Sequence, residues 1–349
     1  MSDPSIDAYY AIAMQIRCDS LIAAKTQEDA RLMVADALKR TDEAIRGAVL
    51  FHGPNIKLVV LPEYFMTGHP FGETLAEWRD KASIDMDGAE YDAIGEIAQK
   101  HGTYIAGNAY EKDPHFPDFY FQASFVVAPN GDLVLRYRRL ISMYSPSPYD
   151  VLDKYLDIYG ADALFPVAET EIGRLGAVAS EEILYPEIAR CVAARGAEVL
   201  VHSSSEAGSN QVTIKNVAKQ ARAIENLAYV VSANSAGITG SPVLEGSTDF
   251  GSKVVDYRGN VLSEAGYGES INAYAEIDLA ALRRYRRKPG MGNLLARQPL
   301  QVYAETYAKQ EVHRPNGLLE KGDVVIPDRS YFVKRQKDVI EKLAKTGVI

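Results

Sequence analysis

Between residues 9 and 277, short β-rich apolar runs alternate with stretches of helical hydrophobic spacing. That alternation confines the chain to an α/β architecture with helices laid over sheets. Tyr9–Ile16 reads as a strand. Leu32, Ala35, Leu38, Ile45 and Val49 recur at helical spacing and predict a long helix over 29–50. The compact run Ile56-Lys-Leu-Val-Val-Leu61 predicts a strand that delivers Pro62-Glu63 to the loop at its end. Residues 89–101 read as a helix and 104–107 as the next strand. The apolar runs 122–128 and 133–137 flank Pro129-Asn-Gly-Asp132, and Asn-Gly between two such runs signals a hairpin. Segment 140–165, rich in Pro, Ser, Asp and Tyr, predicts a long functional or oligomer-forming loop. Its Tyr144, Tyr149, Tyr155 and Tyr159 are expected in interface packing.

Further strands are predicted over 176–179, 199–202, 229–234, 252–257 and 272–277, with helices over 186–195 and near 213–227. One domain is expected over 1–280, with a C-terminal extension, 281–349, that serves oligomer contacts. Apolar residues make up 47% of the 349 and charged residues 24%, enough to build a sizeable core. The net charge of −9 argues against binding to nucleic acid or an anionic membrane surface. The basic run Arg283-Arg-Tyr-Arg-Arg-Lys288 is therefore assigned to capping a helix C-terminus and pairing with acidic residues. Cys18 and Cys191 are too few for a disulfide scaffold, and Cys191 reads as a buried small hydrophobe. No apolar run is long enough to span a bilayer, and the N-terminus lacks the basic start of a signal peptide. The expectation is a cytoplasmic protein.

Five segments, in order, resemble the nitrilase superfamily of carbon–nitrogen hydrolases. They are Leu61-Pro-Glu-Tyr-Phe65, the hairpin Val126–Leu140 with its Tyr-Arg-Arg ending, the elbow Gly176–Ile188, Gly196–Leu200, and Ala221–Asn226 together with Val231–Gly237. The resemblance implies a four-layer α-β-β-α sandwich, no cofactor or metal, and subunits that pair through helices flanking the active site. It places the general base at Glu63, with Tyr64 beside it, the catalytic lysine position at Arg139 and the nucleophilic cysteine position at Ser180. Glu182 falls at the acidic position of the elbow. The second glutamate of amidase-like members falls near Ser147, with Asp150 the closest carboxylate.

Of the four polar positions only Glu63 survives. A serine hydroxyl is a far poorer nucleophile than a thiol unless a matched base activates it. Arginine keeps its proton and can only donate. Read without the resemblance, Ser180 is a small residue after a strand or a helix N-cap, and Glu181 and Glu182 are solvated first-turn acids. Arg139 then neutralises Glu63 as a buried ion pair, and His202 is a partly buried, locally bonded histidine rather than a triad member. Three functions follow. The first is hydrolysis of a small-molecule amide or nitrile through Glu63, Arg139 and Ser180. The second is a catalytically silent protein that binds an anionic small molecule through Arg139. The third is a reaction in which Glu63 alone moves protons. A homo-oligomer is expected in each case.

Overall fold

The structure, a computed structural model, describes residues 6–206, 213–269, 272–310 and 312–349. Two sheets carry it. In the first, the strand order is Ala273–Ile277, Tyr9–Ala13, Ile56–Val60, Tyr104–Asp113, Phe116–Val127 and Leu133–Arg138, with Ile84–Asp85 beside Tyr104–Asp113. In the second it is Val261–Glu264, Lys253–Val255, Tyr229–Ala233, Val199–Ser203, Gly173–Ala179 and Val167–Thr170. The central strands of both sheets pair in parallel and the outer ones antiparallel.

Side chains alternate across each strand, and here both faces are buried. Leu58 and Val60 face the second sheet, among Ala177, Val201 and Val231. Val59 and Leu61 face the helices, among Val34, Leu38, Ile45 and Ile94. On the far side, Ile188, Val192, Ala218 and Ala223 cover the second sheet. The result is the expected four-layer α-β-β-α sandwich.

An apolar strand buried on both faces cannot take its register from hydrophobic alternation. Hydrogen bonds at its end supply it. Leu61 N–H donates to Ala106 O at 2.8 Å and Met14 N–H to Val60 O at 2.9 Å. Two further bonds cross between the sheets: Glu63 N–H to Ser204 O at 3.3 Å, and Ser203 Oγ to Leu61 O at 2.8 Å.

Several boundaries differ from the sequence reading, each for a local reason. The first long helix runs Gln27–His52 because Thr26 and Asp29 cap each other in a reciprocal box one turn before its first apolar residue. The strand expected over 104–107 extends to Asp113 and pairs with Phe116–Val127 along its whole length, past polar Asn108, Glu111 and Lys112. At the Asn130-Gly131 turn, Gly131 takes φ +92, which a side chain would strain.

Segment 140–165 holds a helix, Leu152–Tyr159. Its Tyr155 packs inside the chain on Phe116 and Phe121 rather than in an interface, and Tyr159 Oη donates to Asp113 Oδ2 at 2.6 Å. Cys191 is half-buried at the rim of its helix, Pro186–Ala194, not inside it. Beyond residue 278 the chain returns to the core at several points, although helix Leu300–Ala308 buries none of its residues. Leu279 and Leu282 of helix Leu279–Arg287 enter the inter-sheet cluster, Leu318 joins the Phe116 cluster, and Phe332 of helix Ser330–Lys345 is buried against the first helical layer. Among the described residues no helix is long and apolar enough to cross a membrane.

Candidate active site

Strand Ile56–Val60 ends just before Glu63, which is 2% exposed. Oε1 of Glu63 accepts from Gln122 Nε2 at 2.7 Å and from Arg139 Nη1 at 3.3 Å. Oε2 is buried with no hydrogen-bond partner among the described residues. An unpaired buried carboxylate oxygen is costly, so this lone pair is the atom of the site most in need of a ligand or water. Tyr64 is partly buried beside it, and its ring lines the neighbouring cavity. Burial, and then the Glu63 charge, push its ionisation well above the ordinary range, so Tyr64 acts only as a neutral hydroxyl.

Arg139 lies one residue beyond strand Leu133–Arg138, anchored by its N–H to Gln122 O at 2.9 Å. Its guanidinium is clamped. Nε donates to Ile141 O at 2.6 Å, Nη1 to Glu63 Oε1 and to Gln122 Oε1 at 2.5 Å, and Nη2 to Glu181 Oε1 at 2.5 Å. A guanidinium has five N–H donors, so these four bonds leave one for anything else. Burial opposes the charge, but Glu181 and Glu63 outweigh it and hold Arg139 protonated above even its usual range.

Ser180 follows strand Gly173–Ala179 with φ +46, in the left-handed region that non-glycine residues seldom adopt, and it is buried. This is the strained strand-to-turn elbow on which nucleophiles are presented. It does not cap a helix. Tyr185 is the cap residue of Pro186–Ala194, and the Ser180 hydroxyl makes no hydrogen bond among the described residues.

Glu181 and Glu182 are not solvated acids. Glu181 is the counter-ion of Arg139, and Glu182 is fully enclosed. Glu182 accepts from Tyr137 Oη at 2.8 Å, Leu140 N at 2.8 Å, Ile141 N at 3.0 Å and Ala179 N at 3.2 Å. It ties the elbow to the segment carrying Arg139. Burial pushes its pKa up to about 6, against the pull of Arg139, Tyr137 and the two amides.

His202, on strand Val199–Ser203, is wholly buried. Burial, then Lys219, depress its pKa well below the ordinary value, so the ring is neutral. Nε2 lies 2.8 Å from Ser180 O, an acceptor only, and therefore carries the proton. Nδ1 then accepts from Ser232 Oγ, 2.8 Å away. His202 braces the strained elbow through its carbonyl and offers no lone pair to the Ser180 hydroxyl.

Ser147 is turned away. Its N–H and hydroxyl both donate to Asp150 Oδ2, at 2.9 and 2.8 Å, and Asp150 pairs with Arg335 of the last helix. Neither residue borders the cavity beside Arg139. That cavity, of about 560 Å³, is lined by Tyr64, Tyr110, Gln122, Arg139 and Tyr144, and by Arg329 and Val333 from the C-terminal extension. Glu63 and Ser180 stand behind the Arg139–Gln122 wall rather than on its surface.

Two contributors escaped the sequence reading. Gln122 binds both Glu63 and Arg139, and its signal was a lone amide inside the apolar run Phe119–Val127. Lys215, at the start of helix Ile214–Asn226, donates to Ser205 O at 2.9 Å and approaches Ser204 Oγ at 3.5 Å. The lysines of that helix carried no legible signal, because charged residues on a helix ordinarily face water.

Known proteins share this arrangement in sequence and in shape. The family model for carbon–nitrogen hydrolases matches residues 22–287. A nitrilase of Pyrococcus abyssi is 30% identical over 230 residues, 66% of this chain and 80% of its own. The omega-amidase NIT2 of Danio rerio is 26% identical over 256 residues, 73% and 87%. Among solved structures, Nit3 of Saccharomyces cerevisiae superposes with a TM-score of 0.63 at 22% identity, covering 82% of this chain and 96% of that one. A carbon–nitrogen hydrolase of Helicobacter pylori G27 gives 0.64 at 21%, covering 87% and 99%. With the family model matching residues 22–287 and the Pyrococcus abyssi nitrilase as a relative in sequence, the chain belongs to the carbon–nitrogen hydrolase family of the nitrilase superfamily.

Proposed function

We propose that the protein hydrolyses a carbon–nitrogen bond in an amide or nitrile of a small molecule, with Ser180 in the attacking position. The observation that carries this reading is the retained strain at Ser180. A left-handed non-glycine residue costs of the order of 1–3 kcal/mol and persists where surrounding structure enforces it. Here His202 and Glu182 do so, bracing a hydroxyl that makes no hydrogen bond among the described residues. Glu63, with one free buried oxygen, moves protons to the leaving nitrogen and from the incoming water. Arg139 holds the Glu63 carboxyl in place, and its one N–H without a partner among the described residues is available to developing negative charge. Arg139 works mainly as an anchor, since its other donors are spent.

That same commitment favours a second reading, in which the cavity binds a ligand without turnover. Incubation with p-nitrophenyl acetate followed by peptide mass mapping separates the two. Hydrolysis predicts an acetyl group on Ser180, lost in Ser180→Ala and reduced at least tenfold in Glu63→Gln. Reversible ligand binding with no adduct would leave the second reading standing.

A further inference from the structure

A serine at the elbow needs a base, and among the described residues the Ser180 hydroxyl makes no hydrogen bond to His202 or to Glu63. Helix Ile214–Asn226 supplies another candidate. Strands Gly173–Ala179 and Val199–Ser203 run in parallel with Ala179 opposite Ser203, so Ser180 and Ser204 leave the sheet side by side. Lys215 Nζ is held over that strand end by Ser205 O at 2.9 Å and Ser204 Oγ at 3.5 Å. The Ser204 carbonyl accepts from Glu63 N–H, which brings the ammonium beside Glu63 as well. The helix is fixed on the elbow's own turn, Ser180–Leu184, by Arg222 Nε donating to Ile183 O at 3.0 Å. A lysine has three donors, and these two contacts leave one N–H position of Lys215 without a partner among the described residues.

We infer that Lys215 is the general base for Ser180, an amine able to take up a proton on a different element from Arg139, whose guanidinium stays protonated. The inference rests on the hydrolytic reading above. In the step, the neutral Lys215 amine takes the Oγ proton as Oγ bonds to the substrate carbonyl carbon. The resulting ammonium passes that proton to Glu63, which delivers it to the leaving nitrogen as the C–N bond breaks and the amine departs. Water then attacks the acyl-serine and loses a proton to Glu63, and that proton passes through Lys215 to Oγ as the acyl C–O bond breaks, giving the acid and free serine. The charges around Lys215 are Glu63, Glu206, Arg139 and Glu181, with Lys219 and the neutral His202 beyond. Burial favours its neutral form, against the attraction of Glu63 and Glu206. Lysine bases of this kind activate serine on unrelated folds.

Acetylation of Ser180 by p-nitrophenyl acetate tests it in the full-length protein. Lys215→Ala and Lys215→Arg are expected to slow acetylation at least a hundredfold, while Lys219→Arg stays within about threefold. Propylamine should restore Lys215→Ala in proportion to its free-base concentration, a rescue that a merely structural lysine would not show. Circular dichroism confirms that each variant is folded. If wild type is acetylated on Ser180 and Lys215→Arg is acetylated as fast, Lys215 is not the base and the hydrolytic reading survives. If wild type carries no acetyl group on Ser180, both fall together.

Discussion

A lysine in place of Arg139 would differ by a few atoms, yet it would change what the site can do. A lysine at 139 would be a compact charge on a flexible stem, free to approach a reacting atom. The guanidinium instead spreads over Glu63, Gln122, Glu181 and the Ile141 carbonyl. Removing one partner of a buried pair leaves an uncompensated charge, which costs about 3–5 kcal/mol. Arg139→Ala should lose stability on that scale in urea unfolding, because Glu63 is left in the interior. Arg139→Lys should lose less, since one charge returns without the fork. The same accounting explains why a resemblance in sequence could single out Glu63 and Arg139, which do pair, but not assign the rest of their bonds. Position along the chain is legible from motifs, whereas the partner of a buried donor depends on residues such as Gln122 and Glu181, which no motif marks.

The elements show the same division. Ala89–His101 was legible residue for residue, because an apolar face of Tyr91, Ile94, Ile97 and Ala98 runs to a glycine stop at Gly102. Edge strands Val167–Thr170 and Val261–Glu264 were not, since half-exposed strands carry mixed side chains. Helix Ile214–Asn226 inverts the usual pattern. It buries Asn216, Lys219, Arg222 and Asn226 and exposes Ile214, Val217 and Ile224.

The basic run at 283–288 also acts at this scale. Arg286 donates to Leu227 O at 2.8 Å at the end of that inverted helix, and Arg283 Nε to Glu198 Oε1 at 2.7 Å. Burial disfavours ionised Glu198, but the Arg283 and Arg174 bonds and charges prevail and hold its carboxyl below the ordinary 4.5. A depressed carboxylate contributes stability above the unfolded-state pKa and loses it as pH falls through the folded one. Wild type should therefore exceed Glu198→Gln in urea midpoint at pH 6, and the gap should shrink steadily as the pH is lowered below about 4.5.

For the whole molecule, the inverted helix predicts assembly. Ile214, Val217 and Ile224 share one face by helical spacing and are 73%, 56% and 42% exposed. An apolar face beside a site that buries charge marks a contact surface. Light scattering should give a dimer or a multiple of it, and Val217→Asp should shift the population toward monomer while leaving the circular dichroism unchanged.

The two hydrogen bonds from Glu63 N–H to Ser204 O and from Ser203 Oγ to Leu61 O rivet one sheet to the other directly beneath the reacting groups. Neither layer can shear past its neighbour without tearing out a rivet, so the bed of the site is stationary. A molecule that reaches the site through the neighbouring cavity passes Tyr144, Arg329 and Val333, over a foundation tied at two points.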